Sequence, residues 1–354
     1  MRVVVAMSGG VDSSVAASLL VESGYDVVGL SMQLYDQSSG EETFGSCCSL
    51  NDLYDARRVA ASLGIPHYIV NFEERFRETV VRNFVDEYAA GRTPIPCVHC
   101  NADLKFASLV ERAAGLEADA VATGHYARVV VDDDERRYRL LRSADPDKDQ
   151  TYFLFSLTQE QLRRAMFPVG HLTKAEVRAQ AERAGLLVAN KPDSHEICFV
   201  PDGQTGNFVE RQLETVPAEG DIVDSAGRSV GRHRGVHRYT VGQRRGLGLS
   251  GAVPLYVLKI DAGDSRVVVG PREELGRTAL TASRVNWIAG APPSAPRRVT
   301  ARIRHRHVDA PATVETDAAS HAMVTFDTPQ PAVTPGQAVV FYDGEEVLGG
   351  GWIE

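Results

Sequence analysis

Cysteine is scarce in this chain: Cys47, Cys48, Cys97, Cys100 and Cys198 are the only five among 354 residues. An odd, sparse set excludes a disulfide scaffold and leaves reactive thiols or metal ligands. Long apolar runs are missing as well. No stretch reaches the ~20 residues that a membrane span needs. No basic region followed by an apolar segment opens the chain, which enters a strand at once, so no signal peptide is expected and a cytoplasmic protein is. Positive charge is in deficit, with 38 Lys and Arg against 47 Asp and Glu, a net charge of −9. Taken alone this argues against nucleic acid. The distribution argues otherwise: acidic residues such as Glu73, Glu74, Glu78, Asp86 and Glu87 crowd the first third, while basic stretches concentrate in the second half. A local basic surface can still hold a phosphate backbone. There is no internal repeat.

What is present begins at Ala6-Met7-Ser8-Gly9-Gly10-Val11-Asp12-Ser13. The apolar run Val3-Val4-Val5-Ala6 reads as a buried strand and Ser14 to Leu20 as a helix. Strand, glycine turn and helix aim backbone N–H groups at one point, where an anion fits. The glycines permit close approach, Ser8 and Ser13 can donate to phosphate oxygens, and Asp12 can hold magnesium or position phosphates. The Gly-Lys-Ser/Thr ending of a Walker loop is absent, and so is G-x-G-x-x-G spacing. The stretch resembles the SGGxDS loop of ATP pyrophosphatases, which adenylate an oxygen and release pyrophosphate. The plain alternative is a glycine turn before an ordinary helix.

Further strands are expected at Val27–Met32, His67–Val70 and Ala120–Thr123, with helices around 55–63 and 103–114 between them. This βαβα rhythm predicts a parallel sheet with helices on both faces. Ligands then lie beyond the C-terminal strand ends, which places Met32 and Gly124-His125-Tyr126 on the same rim as the opening loop, with adenine near Met32 and Gly124. The stretch Gly91 to Asn101 carries Pro94 and Pro96 and reads as a loop delivering Cys100 to a helix start, where the dipole favours thiolate. A hairpin is expected over 128–142, then helices near 158–164 and 173–184, then an irregular stretch from Lys191 to Phe199. After about Asn207, glycine rises and helical periodicity fades. The chain divides into 1–206, 207–275 and 276–354: an α/β domain with a parallel sheet, a small mixed central domain, and a C-terminal β-barrel. Trp287 and Trp352 read as core or barrel residues. In 298–306, strict alternation puts Arg298, Arg302, Arg304 and Arg306 on one strand face, either solvated or in contact with phosphate.

With these motifs read, the chain resembles the tRNA-specific 2-thiouridylases over nearly its whole length. The resemblance is carried by the opening loop, Gly91-Arg92-Thr93-Pro94 through Cys100-Asn101, Thr123-Gly124-His125-Tyr126, Lys148-Asp149-Gln150, Ile197-Cys198-Phe199, and Tyr239 to Gly246. It implies that ATP adenylates the O2 of the wobble uridine in Lys, Glu and Gln tRNAs, and that persulfide sulfur then replaces the oxygen, releasing AMP. It implies nucleotide contacts at Ala6 to Ser13, Met32 and Gly124. Cys198 would carry the persulfide and Cys100 would help release its sulfur, leaving a transient disulfide. Contacts with tRNA would come from Ile95-Pro96-Cys97, Lys148-Asp149-Gln150 and Arg304-His305. The sulfur donor would be a cysteine desulfurase or a carrier, and the protein a monomer.

The chain departs from the family at Cys97, where many relatives carry an acidic residue. Cys97-Val98-His99-Cys100 makes a C-x-x-C, and with Cys198 three thiolates could ligate an iron–sulfur cluster. Two rival functions share part of the pattern: another ATP pyrophosphatase, such as an amide-forming ligase, and an ATP-sensing RNA-binding module.

Overall fold

The computed structural model describes residues 1–35, 49–132, 134, 137–193, 197–200, 203–249, 253–317 and 320–354. Cys47, Cys48 and the Ser194-His195-Glu196 part of the irregular stretch lie outside them.

A parallel sheet runs in the order β3-β2-β1-β4-β7. Its strands are β1 (Arg2–Ala6), β2 (Asp26–Gln33), β3 (His67–Asn71), β4 (Ala120–Ala122) and the short β7 (Ala165–Met166). Val3, Val4 and Val5 are fully buried, as a strand covered on both faces requires. The chain winds one way from β1 to β2 and β3 and the other way to β4. The sheet therefore changes direction at β1, and the crevice between the C-terminal ends of β1 and β4 is where an α/β sheet receives a ligand. Helix Val11–Glu22 follows β1 and is apolar on nearly all sides, with eight buried residues, because it is packed within the domain.

The cysteine-bearing helix begins earlier than the sequence suggests. Pro96 takes a first-turn position, where its missing N–H costs nothing, and helix Pro96–His99 runs without a break through Cys100–Phe106 to Ala107–Gly115. Cys100 is thus a full turn inside, and Cys97 holds the first-turn place expected for Cys100.

The expected hairpin forms as β5 (Ala127–Asp132) and β6 (Arg137–Arg142), but it belongs elsewhere than its sequence neighbours. β6 pairs with β17 (Glu346–Ile353), so the hairpin extends the C-terminal sheet. That sheet contains β12 (Gly276–Trp287), β13 (Arg297–Arg302), β14 (Ala310–Thr316), β15 (Ala322–Pro331), β16 (Ala338–Asp343) and β17. Pairing of β12 with β17 closes these six into a barrel. Trp287 stacks on Phe341 within it. The central sheet is β8 (Gly220–Asp224), β9 (Ser229–His233), β10 (Tyr256–Asp261) and β11 (Arg266–Gly270), in the order β10-β11-β8-β9. Helical structure persists past the point where periodicity fades, in Thr205–Gln212.

The arginine strand is a second correction. β13 ends at Arg302, so alternation does not extend to Arg304 and Arg306. The carboxylates missing from its own sequence arrive from neighbouring segments: Asp327 binds Arg298 at 2.7 Å, and Asp309 binds Arg302 at 2.7 Å. Among the described residues no helix is long and apolar enough to cross a membrane.

Candidate active site

The loop after β1 is tightly self-bonded. Ser13 donates from Oγ to the Gly10 carbonyl at 3.1 Å and accepts from the Ser8 N–H at 3.2 Å. The two hydroxyls are 3.3 Å apart, Ser8 exposed and Ser13 buried. Gly9 has φ +75°, and a Cβ there would stand 2.1 Å from the Asp52 carbonyl oxygen. Gly10 caps the helix, whose unpaired N–H groups face the crevice.

Gly124 closes the other wall. A Cβ there would lie 2.5 Å from the Ser13 nitrogen, so only glycine lets the β4 end touch the loop. His125 bonds Thr123 Oγ1 through Nδ1 at 2.7 Å. Burial, with Lys105 nearby, holds its pKa well below the usual histidine value, so it is neutral at pH 7. Met32 is on the rim near the end of β2, with its side chain buried in the core.

Asp12 faces inward from the first helical turn. It accepts from the Tyr126 hydroxyl at 2.8 Å and from Lys174 Nζ at 2.8 and 2.9 Å. Burial and the Asp12 carboxylate push the Tyr126 phenol far up, so it stays a donor. A single carboxylate, partly exposed at a phosphate loop, fits magnesium, which takes one or two carboxylates beside substrate phosphates and water.

Sequence reasoning missed the surrounding charges. Lys174 also reaches Asp193 at 2.7 Å, and Asp193 further pairs Lys148 at 2.8 Å and Arg178 at 3.2 Å. Burial opposes the charge on Asp193, but hydrogen bonds from Lys148 and Lys174 prevail and draw its pKa down to about 2. Lys191 donates to the Gly9 carbonyl at 3.1 Å and to Asp52 and Asp55 at 2.6 Å each. The sequence held one usable signal, Lys191 and Asp193 seven and five residues before Cys198, but nothing in it linked them to the loop.

Cys100 is buried in the core cluster that holds Leu30, Met32 and Leu104, and Cys198 packs against the same cluster from a half-buried position. Phe199 anchors that end, with ring centroids 5.1 to 5.4 Å from Phe84, Phe76 and Phe208. Cys97 is exposed. Among the described residues no group of three or more His, Cys, Asp or Glu side chains is placed to hold a metal ion. Of the three thiols, Cys97 is exposed, Cys198 half-buried and Cys100 buried.

Of the remaining predicted contacts, Ile95 and Pro96 are buried at the start of the cysteine helix. Gln150 is tied through Oε1 to the Tyr126 N–H at 2.9 Å. Asp149 is buried, accepts from Ser143 and Thr151, and lies 3.5 and 3.6 Å from Arg142 and Arg302. It offers no surface to a macromolecule; it clasps the first domain to the barrel. His305 packs against Phe153 with the rings tilted by 35° and 4.6 Å between centroids, and burial, with Arg302 and Arg306, lowers its pKa. Arg304 donates to the Pro331 carbonyl at 3.2 Å. Arg244, Arg245 and Arg306 are exposed. The Gly91-Arg92-Thr93-Pro94 motif is a junction: Thr93 bonds Pro335 and Gln337 of the barrel and lies 3.4 Å from Thr240 of the central domain.

Comparison with known proteins agrees over the whole length. Residues 1–202 match the family described as tRNA methyl transferase HUP domain, 206–271 its PRC-barrel domain, and 277–353 the aminomethyltransferase beta-barrel domain. The tRNA-specific 2-thiouridylase MnmA of Geotalea uraniireducens is 54% identical over 357 residues, covering 100% of this chain and 95% of that protein. The chain belongs to the tRNA-specific 2-thiouridylase family. Relatives of the same name from Geobacter metallireducens and Acetivibrio thermocellus are 54% and 48% identical, each covering 100% of this chain, and 96% and 99% of the relatives. Among solved structures, a 4-thiouridine synthetase–RNA complex with bound ATP is 16% identical, with a TM-score of 0.36 over 56% of this chain and 44% of that one.

Proposed function

We propose that the protein is an ATP-dependent tRNA-uridine 2-sulfurtransferase acting on the wobble uridine of Lys, Glu and Gln tRNAs. The observation that carries this reading is the convergence of Cys100 and Cys198, 98 residues apart in sequence, on one apolar cluster of a domain that also holds the glycine loop. An ATP pyrophosphatase that forms amides has no need of that pair.

The phosphates occupy the loop from Ala6 to Ser13 and the helix N-terminus, with adenine toward Met32 and Gly124. Asp12 would hold magnesium, which neutralises phosphate charge when bound. The uridine O2 attacks the α-phosphorus of ATP and pyrophosphate leaves. Adenylation turns a poor leaving group into a good one, so sulfur can then attack C2 and expel AMP. Sulfur arrives as a persulfide on Cys198. The Cys100 thiolate attacks the Cys198 Sγ, forming a disulfide and freeing hydrosulfide for that attack; an external thiol then reduces the disulfide. The base leaves its stack to reach the crevice. The three domains span 1–206, 207–275 and 276–354. The tRNA lies over the Cys97 end of the cysteine helix, Lys148, and the Arg304-His305 corner of the barrel. The reading takes the protein as a cytoplasmic monomer supplied by a cysteine desulfurase or a sulfur carrier.

The test is thiolation of unmodified lysine tRNA with ATP, magnesium and a desulfurase, run anaerobically. Cys100→Ser and Cys198→Ser abolish 2-thiouridine while still releasing pyrophosphate; Cys97→Ser stays active. Full activity in Cys198→Ser, or binding of tRNA without release of AMP and pyrophosphate in the wild type, overturns the reading.

A further inference from the structure

The parallel sheet ends in two unlike edges. On one side β7 is two residues long, too short to template another chain. On the other, β3 pairs β2 in unbroken register and, among the described residues, no strand on its outer side. Two bonds fix which backbone groups face out. The Gly29 N–H donates to the Pro66 carbonyl, and the Phe72 N–H to the Gln33 carbonyl, each at 2.8 Å. Backbone direction alternates along a strand, so residues 66, 68, 70 and 72 address β2. The N–H and C=O of His67, Ile69 and Asn71 point outward and have no backbone partner among the described residues. No lysine, proline or bulge guards the strand. Tyr68 and Ile69 are 51% and 45% exposed. Beside them, between β3 and helix Ala107–Gly115, runs a groove of about 880 Å³. It carries Glu73, Glu74 and Glu111 against Arg75 and Arg112. Both cations are engaged, Arg75 with Glu111 at 3.7 Å and Arg112 over the Phe72 ring at 5.8 Å. Exposed Glu74 has no ion pair among the described residues.

We propose that β3 is the docking strand for the protein that delivers sulfur. An extended, basic segment of that donor adds to the sheet. Its backbone bonds the outward N–H and C=O groups of His67, Ile69 and Asn71, and a lysine or arginine of the segment meets Glu74. In strand addition the main-chain bonds give affinity and the side-chain pockets give selectivity. The charge of the groove chooses protein over RNA, because its carboxylates outnumber its cations and repel a polyanion. Its place chooses the donor. Phe72 lines the groove and belongs to the apolar cluster against which Cys198 packs. Phe76, from the same cluster, meets Phe199, the neighbour of Cys198, at 5.4 Å between ring centroids. The identity of the partner rests on the reading of Cys198 given above; the open edge and its charge do not.

Thiolation of lysine tRNA by the full chain with two sulfur sources tests it. One source is cysteine with the desulfurase and carrier proteins of the same cell. The other is sodium hydrosulfide, the nucleophile that the reading above frees, which needs no docking. Ile69→Pro deletes one outward N–H, a change that an edge strand tolerates. Glu74→Lys reverses the unpaired charge. In each variant the protein-driven rate falls about tenfold or more, while the hydrosulfide-driven rate stays within about twofold of wild type. Hydrogen exchange supplies a second readout: the sulfur proteins slow exchange of the 67–71 amides about tenfold in the wild type and leave them fast in Glu74→Lys. An unchanged protein-driven rate in Glu74→Lys, an equal loss with both sources in that variant, or protection of 67–71 that follows only the chain's own concentration overturns the proposal. Glu74→Lys decides alone if Ile69→Pro does not fold. A wild type that thiolates with neither source removes the functional reading instead and leaves hydrogen exchange to judge the docking.

Discussion

At the scale of single residues, two glycines and one aspartate bear most of the site's geometry. Gly124→Ala forces its new methyl against the Ser13 nitrogen and Asp12 carbonyl carbon, backbone atoms that cannot step aside. The expected result is at least tenfold weaker ATP binding, about 1.4 kcal/mol, by titration; Gly115→Ala, with nothing within 4 Å, leaves binding unchanged. Asp193 makes a pH prediction. Its folded pKa of about 2 lies below the ordinary aspartate value, so its ion pairs add stability that is complete above about pH 5 and is lost as pH falls toward 2. Wild type and Asp193→Asn melting curves should differ most near neutrality and converge in acid, by on the order of 1–2 kcal/mol. The loop and Asp12 were legible in sequence because strand, turn and helix are contiguous there. Lys174 and Lys191 were not, since an ammonium is assigned to a carboxylate only once distant segments fold together.

At the scale of elements, the Lys148-Asp149-Gln150 turn behaves as an internal joint. Asp149 neutralises Arg142 and Arg302, and both guanidinium groups lie over the Tyr342 ring, at 3.6 and 5.5 Å. Asp149→Ala leaves the half-buried Arg142 and Arg302 to share Asp309 alone, and about 1–3 kcal/mol of stability should go, seen as a fall in Tm. Arg298→Ala, at an exposed pair, should leave the melt unchanged. Element order along the first domain was readable from apolar periodicity. The helix start at Pro96 was not: two nearby prolines resemble a loop, yet a first-turn proline begins a helix as readily as it prevents one. The arginine strand failed for another reason. Alternation reports which face a residue takes only while the strand lasts, and β13 stops at Arg302.

At the scale of the whole molecule, an acidic protein must recruit a polyanion through local patches. Arg244 and Arg245 project from the glycine turn of the central domain, and Arg306 from the barrel. If each meets a phosphate, tRNA binding weakens linearly with the logarithm of salt concentration, and each arginine-to-alanine change lowers that slope by about one. Filter binding across salt concentrations measures it; unchanged slopes in all three variants would exclude these contacts. The three-part division could be sensed from composition, whereas the attachment of β5 and β6 to the barrel could not, because strand pairing across such a distance leaves no local trace.

That pairing also has a consequence in time. β6 emerges early from the ribosome, but its partner β17 is made roughly 200 residues later. At about 5–20 residues per second, the edge of β6 waits on the order of ten to forty seconds for the strand that covers it. Arg137 and Arg139, which finally bind Glu346, keep that edge charged meanwhile. A nascent chain stalled before β17 would carry a nearly finished first domain with one seam still open, and synthesis of β17 is what closes it.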